Sequence, residues 1–218
     1  MSGPAVRELF ARMAGERPAA LAWAEPYGDD LGRAWVECAR GDWLLWLAGI
    51  LEVDRRLVVL AAVDCAVFSL SLLPEGHVET LRPLVELAQA WAKGEADAES
   101  CAAAAKDVLS IYRDPPPAPR GDEGPMTGYA TAAVSAAVMV PIYESPVGIA
   151  SGAAAAALAA ARVATPNDEG AIDAAHARCA ELVRTRIPFE RLVESPGFRR
   201  FAARASRSHA RGEVAGGA

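Results

Sequence analysis

The sequence predicts an all-α fold, and three observations support this prediction. Hydrophobic residues make up 52% of the chain, and many of them are alanine, which has the highest helix propensity of all residues. In most segments the apolar residues recur at spacings of three and four, as they do on a helix with one buried face. No segment alternates between apolar and polar residues as a half-buried strand would. We therefore expect a single Ala-rich bundle of about nine or ten helices, from the number of caps and breaks.

The first part of the chain divides into four predicted helices and one loop. The helices are predicted at 4–13, 31–40, 42–51 and 54–73. A loop through Pro18, Pro26 and Gly28, which contains Trp23, separates the first two helices. Asp29 or Asp30, Asp42 and Asp54 stand where N-cap residues belong. The fourth helix is apolar on nearly every side, so we expect it to lie centrally. If Asp64 on this helix faces inward, it needs an Arg, an indole or a helix end as a hydrogen-bonding partner.

A hairpin of two helices from Leu81 to Ala105 is predicted to organise the rest of the chain. Its first helix should begin near Thr80, because Pro83 is tolerated only in a first turn. Gly94 suits the left-handed residue just after a helix end. Asp97 then suits the N-cap of the second helix.

The middle of the chain contains a proline-rich stretch and two Ala-rich helices. Proline lacks an amide proton, so residues 113–126 are predicted to form a loop, either a linker or a docking site for a partner. The two helices that follow are predicted at 127–145 and 146–164. Each is short for a bilayer and poor in Leu, Ile and Phe, so we predict no membrane span. Gly148 and Gly152 lie four residues apart, a spacing that permits close helix packing.

The C-terminal part is basic, although the whole chain has a net charge of -6. A helix from Asn167 or Asp168 should end near Ile187, because Pro188 follows. Residues 1–192 are predicted to form one domain, and 193–218 an Arg-rich helix and a frayed tail. Between positions 184 and 211 the sequence has eight Arg and two Glu. The remainder is therefore acidic, which argues against general nucleic-acid binding and suits a basic protein partner.

Few groups in the sequence suggest catalysis or metal binding. Phosphate-loop, HExxH and CxxC patterns do not occur. His176 and Cys179 share a helix face, but no further metal ligands cluster near them in the sequence. We therefore predict no catalytic, cofactor-binding or metal-binding residues, and four reduced cysteines.

The N-terminal segment MSGPAVRELF has no apolar signal core, which favours a cytoplasmic location. Four tryptophans are predicted to lie mostly in the core, with a partner surface as the alternative: Trp35, Trp43, Trp46 and Trp91.

Several stretches together carry a resemblance to a known family. They are Trp35-x-x-Cys38 with GDWLLWLA at 41–48, the small residues around Asp64-Cys65, Leu81-Arg82-Pro83 with AWAKGE at 90–95, Cys101 with its alanines, and CAELVRTRIPFERL at 179–192. Over about Leu31 to Leu192, the length of one domain, the chain resembles the immunity proteins of bacterial polymorphic-toxin systems. The resemblance implies a protein that binds a cognate toxin stoichiometrically in the cytoplasm of the producing cell and covers its active site or another surface that it needs.

An acidic body would attract a basic toxin, so the contact face is predicted among exposed acids. The candidates are Glu75, Glu79, Asp114, Asp122 and Glu123. Two alternatives stay open. One is a helical scaffold that forms homo-oligomers through the helix with Gly148 and Gly152. The other is an enzyme with a pocket that holds Asp64, His176 or Glu144.

Overall fold

The computed structural model describes residues 6–11, 18–73, 75–113, 123–163 and 168–215. Within these ranges the chain forms twelve α-helices and no β-strand, which confirms the predicted all-α bundle. The helices are α1 Val6–Ala11, α2 Pro18–Ala24, α3 Leu31–Glu37, α4 Gly41–Ile50, α5 Arg55–Leu70, α6 Glu75–Lys93, α7 Ala98–Arg113, α8 Glu123–Met139, α9 Pro146–Val163, α10 Glu169–Arg186, α11 Phe189–Val193 and α12 Pro196–Ala215. Short 3₁₀ helices cover Glu25–Tyr27 and Val140–Ile142.

The centre of the bundle is formed by α4, α5 and α9. Every residue of α4 is buried, and α9 contacts α4, α5, α8 and α10. The central position of α5 agrees with the prediction. The α6–α7 hairpin packs against α5 and α8 at the periphery, so the prediction that it organises the chain is wrong. A one-sided apolar stripe such as that of α6 marks a helix that covers a core, whereas a helix that is apolar all round occupies it.

Small residues bring the central helices into backbone contact. A Cβ on Gly49 of α4 would lie 2.5 Å from the Cα of Ala150 on α9. A Cβ on Gly41 would likewise lie 2.5 Å from the Cβ of Cys179 on α10. Because neither glycine has a side chain, α4 lies directly against both neighbouring helices.

Large rings fill the space around this contact. Trp35, Trp43 and Trp46 are buried, which confirms the core prediction for these three. Trp23 lies against Trp43, with ring centroids 5.6 Å apart. Trp91 is only half-buried, and the Arg55 guanidinium lies 5.1 Å from the centroid of its ring.

Predicted helix starts are confirmed at several aspartates. The carboxylates of Asp30, Asp54, Asp97 and Asp168 each accept a hydrogen bond from an amide in the first turn of the following helix. Gly94 has a φ of 82°, as expected for the residue after α6. The prediction for Asp42 is wrong, because Arg40 occupies the N-cap position and Asp42 is buried within the first turn of α4.

Two further predictions, both based on prolines, are wrong. α6 begins at Glu75, so Pro83 lies inside the helix rather than in its first turn. Pro83 is exposed, and there the bond it cannot make leaves a carbonyl facing water rather than the core. The predicted loop around Trp23 instead contains α2, which begins at Pro18. Proline is favoured at the first helical position, where its missing N–H has no helical partner to lose.

Both ends of the range 113–126, which is predicted to be a loop, are helical. α7 extends to Arg113 and α8 begins at Glu123. Pro125 lies in the first turn of α8, where proline is tolerated. The intervening positions 114–122 lie outside the described residues, and so does the docking site considered there.

One described helix, α9, is long and apolar enough to cross a membrane by length and composition, with a mean hydropathy of 1.4 over 18 residues. Half of this segment is buried in the bundle, in contact with α4, α5 and α8. A central helix of a water-soluble bundle has the same composition. The absence of a membrane span therefore stays a prediction.

Candidate functional site

A fully buried carboxylate lies where α4 crosses α10. Arg40 donates from Nε and Nη2 to the two carboxylate oxygens of Asp42, at 2.9 and 3.0 Å. The Nδ1 atom of His176 lies 3.5 Å from Asp42 Oδ1. Arg40 is half-buried, and its guanidinium lies 5.1 Å from the ring centroid of Trp43. Asp42 and His176 are only 0% and 2% exposed, so a substrate in solvent has no access to them.

A second ion pair joins α5 to α10. Arg186 donates from Nε and Nη2 to the Asp64 carboxylate, with 3.1 Å between Nη2 and Oδ1. This hydrogen bond raises the pKa of Arg186. Asp64 is half-buried, and its partner is an Arg, one of those predicted for an inward-facing Asp64. Of the two other residues that the enzyme alternative names, His176 is buried and Glu144 is exposed.

The four cysteines are buried free thiols. Burial raises the pKa of Cys38 to about 11 and also raises the pKa of Cys101. Hydrogen bonding with Cys179, together with burial, raises the pKa of Cys65 well above its ordinary value. Thiols held in the protonated form are poor nucleophiles and poor metal ligands. Among the described residues, no group of three or more His, Cys, Asp or Glu could hold a metal ion.

Two of the five predicted partner-binding acids are seen in full. Glu75 and Glu79 are exposed on α6, and Glu75 lies in its first turn, where the helix dipole favours a negative charge. Glu123 begins α8, but its side chain is outside the described part of the chain. Asp114 and Asp122 also lie outside it.

Glu75 and Glu79 belong to a larger acidic surface, which we call the acidic hairpin and define as residues 75–107. Seven carboxylates and three cations occur in this range, and all ten are exposed. The carboxylates are those of Glu75, Glu79, Glu86, Glu95, Asp97, Glu99 and Asp107. None of the five glutamates forms an ion pair with another described residue. The five glutamates therefore present a negative charge that no described residue neutralises by direct pairing.

Sequence reasoning missed most of this surface, although its signal is in the sequence. Glu75, Glu79 and Glu86 are separated by four and seven residues, which places them on one side of a helix. The opposite side carries the buried residues Leu81 and Val85. A helix that begins near Thr80, as predicted, excludes Glu75 and Glu79. The row of glutamates on one side of α6 is therefore not part of the sequence prediction.

No match was found when the chain was compared with protein-family models, with curated proteins and with solved structures. The resemblance to immunity proteins therefore stays a prediction.

The glycines considered for a homotypic interface are covered by their own chain. A Cβ on Gly152 would lie 2.5 Å from the ring of Tyr143, and one on Gly148 would lie 3.2 Å from Tyr143 Cβ. This side of α9 thus packs against the segment that precedes it. Homo-oligomerisation through these glycines would require Tyr143 to move.

Proposed function

We propose that this chain is a non-enzymatic immunity-type protein, which neutralises a basic cognate toxin by binding it through the acidic hairpin in the producing cell. The observation that supports this most is the exposed excess of carboxylates at residues 75–107, whose glutamates form no ion pair with other described residues. The sequence resemblance suggests that the partner is a toxin. The negative charge of the hairpin suggests that the toxin binds through a basic surface.

The hairpin suits recognition because its charges are held on ordered helices. α6 packs against α5 and α8, and the turn after it is closed by a hydrogen bond of 2.8 Å from Glu95 N to Ala90 O. Prearranged charges lose little conformational entropy on binding. A concentrated negative potential also accelerates encounter with a basic partner and excludes acidic ones.

The buried polar groups also favour binding over catalysis. Asp42 and His176, which could have served as an acid and a base, lie against each other in the interior. General acid–base catalysis requires such a group within hydrogen-bonding reach of the substrate. Their placement suits a structural role at the α4–α10 crossing.

Co-expression with the product of an adjacent gene tests the proposal. We expect the chain to restore growth to cells that produce this product and to co-purify with it. A variant with Glu75→Lys, Glu79→Lys and Glu86→Lys should lose both properties, because it reverses the charge of one stripe of the hairpin.

A matched control changes the same amount of charge elsewhere. Glu144, Asp173 and Glu190 are exposed and outside the hairpin, so replacing all three by Lys should leave growth rescue intact. Equal rescue by the hairpin variant and the wild type would exclude the hairpin as the binding face. No rescue by the wild type with either flanking gene product would contradict the immunity function itself.

A further inference from the structure

Three neighbouring depressions that share lining residues lie beside the first half of α12. A cleft of about 740 Å³ lies between the start of α5 and the segment from the end of α10 to the start of α12. It shares Glu52 with a cavity of about 110 Å³. That cavity shares Arg200 and Arg204 with a groove of about 430 Å³ over Ala203. We call these three depressions together the α12 trough.

The cleft end of the trough offers apolar contact. Its apolar lining comes from Val53, Leu57, Pro188 and Pro196. The charged groups at its edge are engaged within the chain, since Arg186 binds Asp64 and Arg191 lies 3.4 Å from Glu194. The hydroxyl of Ser195 donates to Leu192 O at 2.6 Å. A ligand at this end therefore gains by burying apolar surface rather than by pairing charge.

The groove end has the opposite character. Apart from Ala203, it is lined only by arginines, all of them exposed: Arg199, Arg200, Arg204 and Arg207. Arg199 and Arg207 form no ion pair with other described residues. Arg200 already binds a carboxylate, that of Glu52. Guanidinium groups bind carboxylates through paired hydrogen bonds, so this end is suited to an acidic ligand.

Glu52 lies between the cleft end and the groove end of the trough, and its backbone conformation is unfavourable for a residue other than glycine. Its φ is 57°, a value that glycine adopts without strain and that is common for the residue just after a helix. The amide of Val53 donates to Ala48 O at 3.0 Å, which closes the end of α4 around it. Backbone strain of this kind often occurs at functional sites. Here it places a carboxylate between the cleft and the arginine groove.

We propose that the α12 trough binds an acidic segment of another protein. A large apolar side chain of that segment would occupy the cleft, and its carboxylates would bind Arg199 and Arg207 and compete with Glu52 for Arg200. Nucleic acid fits less well, because a continuous phosphate backbone would have to pass Glu52, Asp54 and Glu194 at the cleft end, where the protein segment would instead place an apolar side chain. This surface is separate from the acidic hairpin and suits a partner of opposite charge.

Selection of short random peptides displayed on phage tests the proposal with the full-length chain. Selection on the wild type at low salt, after depletion on an Arg199→Glu, Arg207→Glu variant, should enrich peptides with several carboxylates and one large apolar residue. In fluorescence polarisation, the labelled peptide should bind that variant about tenfold more weakly, the effect of losing two exposed ion pairs.

Two further variants separate the trough from a general charge effect. Arg82→Glu with Lys93→Glu makes the same change of charge at exposed positions of α6, and the peptide affinity should stay within about twofold of the wild type. Thr185→Trp places a ring in the cleft from an exposed position and should weaken binding of the peptide. The proposal is overturned if no acidic peptide is enriched, if the α6 variant loses as much affinity as the groove variant, or if a short DNA duplex displaces the peptide as well as unlabelled peptide does.

Discussion

At the scale of single residues, burial determines the chemistry of the cysteines. All four thiols are buried, and the pKa of Cys38 is raised to about 11 from an ordinary value of 9.0. We expect iodoacetamide at pH 8 to leave all four thiols unmodified in the folded chain and to modify all of them in urea. Mass spectrometry of intact protein gives the count. Rapid alkylation of Cys38 in the folded state would contradict its burial.

The same shift has a consequence for stability at high pH. Between pH 9 and about 11 the Cys38 thiol ionises in the unfolded chain but stays protonated in the folded one. The unfolded state then binds fewer protons, so the free energy of unfolding falls as the pH rises through this window. Below pH 9 the thiol is protonated in both states, so this loss of stability does not occur there.

Glu52 allows backbone strain to be measured separately from its ion pair. Glu52→Gly and Glu52→Ala both remove the contact with Arg200, but only glycine relieves the strain of the positive φ. We expect the glycine variant to be more stable than the alanine variant by about 1 kcal/mol. Urea denaturation measures this difference. Equal stability of the two variants would show that the turn after α4 relaxes and that no strain is held there.

At the scale of secondary-structure elements, the contact between α4 and α9 makes a strong prediction. Gly49→Ala should lower the free energy of unfolding by about 2–3 kcal/mol, because the new Cβ would meet the backbone of Ala150. Gly128→Ala on α8 is the matched control, since no atom lies within 4 Å of its added Cβ. It should raise stability by about 0.5–1 kcal/mol through helix propensity. A loss of stability in the control, or none in Gly49→Ala, would contradict the described packing.

Local signals account for most of the element boundaries that the sequence predicts. Asp54 and Asp97 are recognisable caps because the capping bond is made within a few residues. Pro18 and Pro83 are read wrongly because the same residue can start, bend or end a helix, and its surroundings in the fold decide which. Asp42 also lies against His176, which is far away in the sequence, and no local pattern reveals that contact.

At the scale of the whole molecule, the sequence predicts how much charge the chain carries but not where that charge lies on the surface. The acidic composition and the basic C-terminal region are evident from counting. Their assembly into an acidic hairpin and an arginine groove depends on which faces of α6 and α12 the bundle leaves exposed. The cleft is not predictable at all, because its walls come from α5, α10 and α11, which only the tertiary fold brings together.

We propose that the chain neutralises its toxin by binding it stoichiometrically rather than by chemically changing it. The most direct measurement is the residual activity of the purified toxin as the chain is added in increasing amounts. We expect the activity to fall linearly and to end at one chain per toxin, and to return when the complex is dissociated at high salt. Complete and irreversible loss of toxin activity at amounts of chain far below that of the toxin would contradict the account.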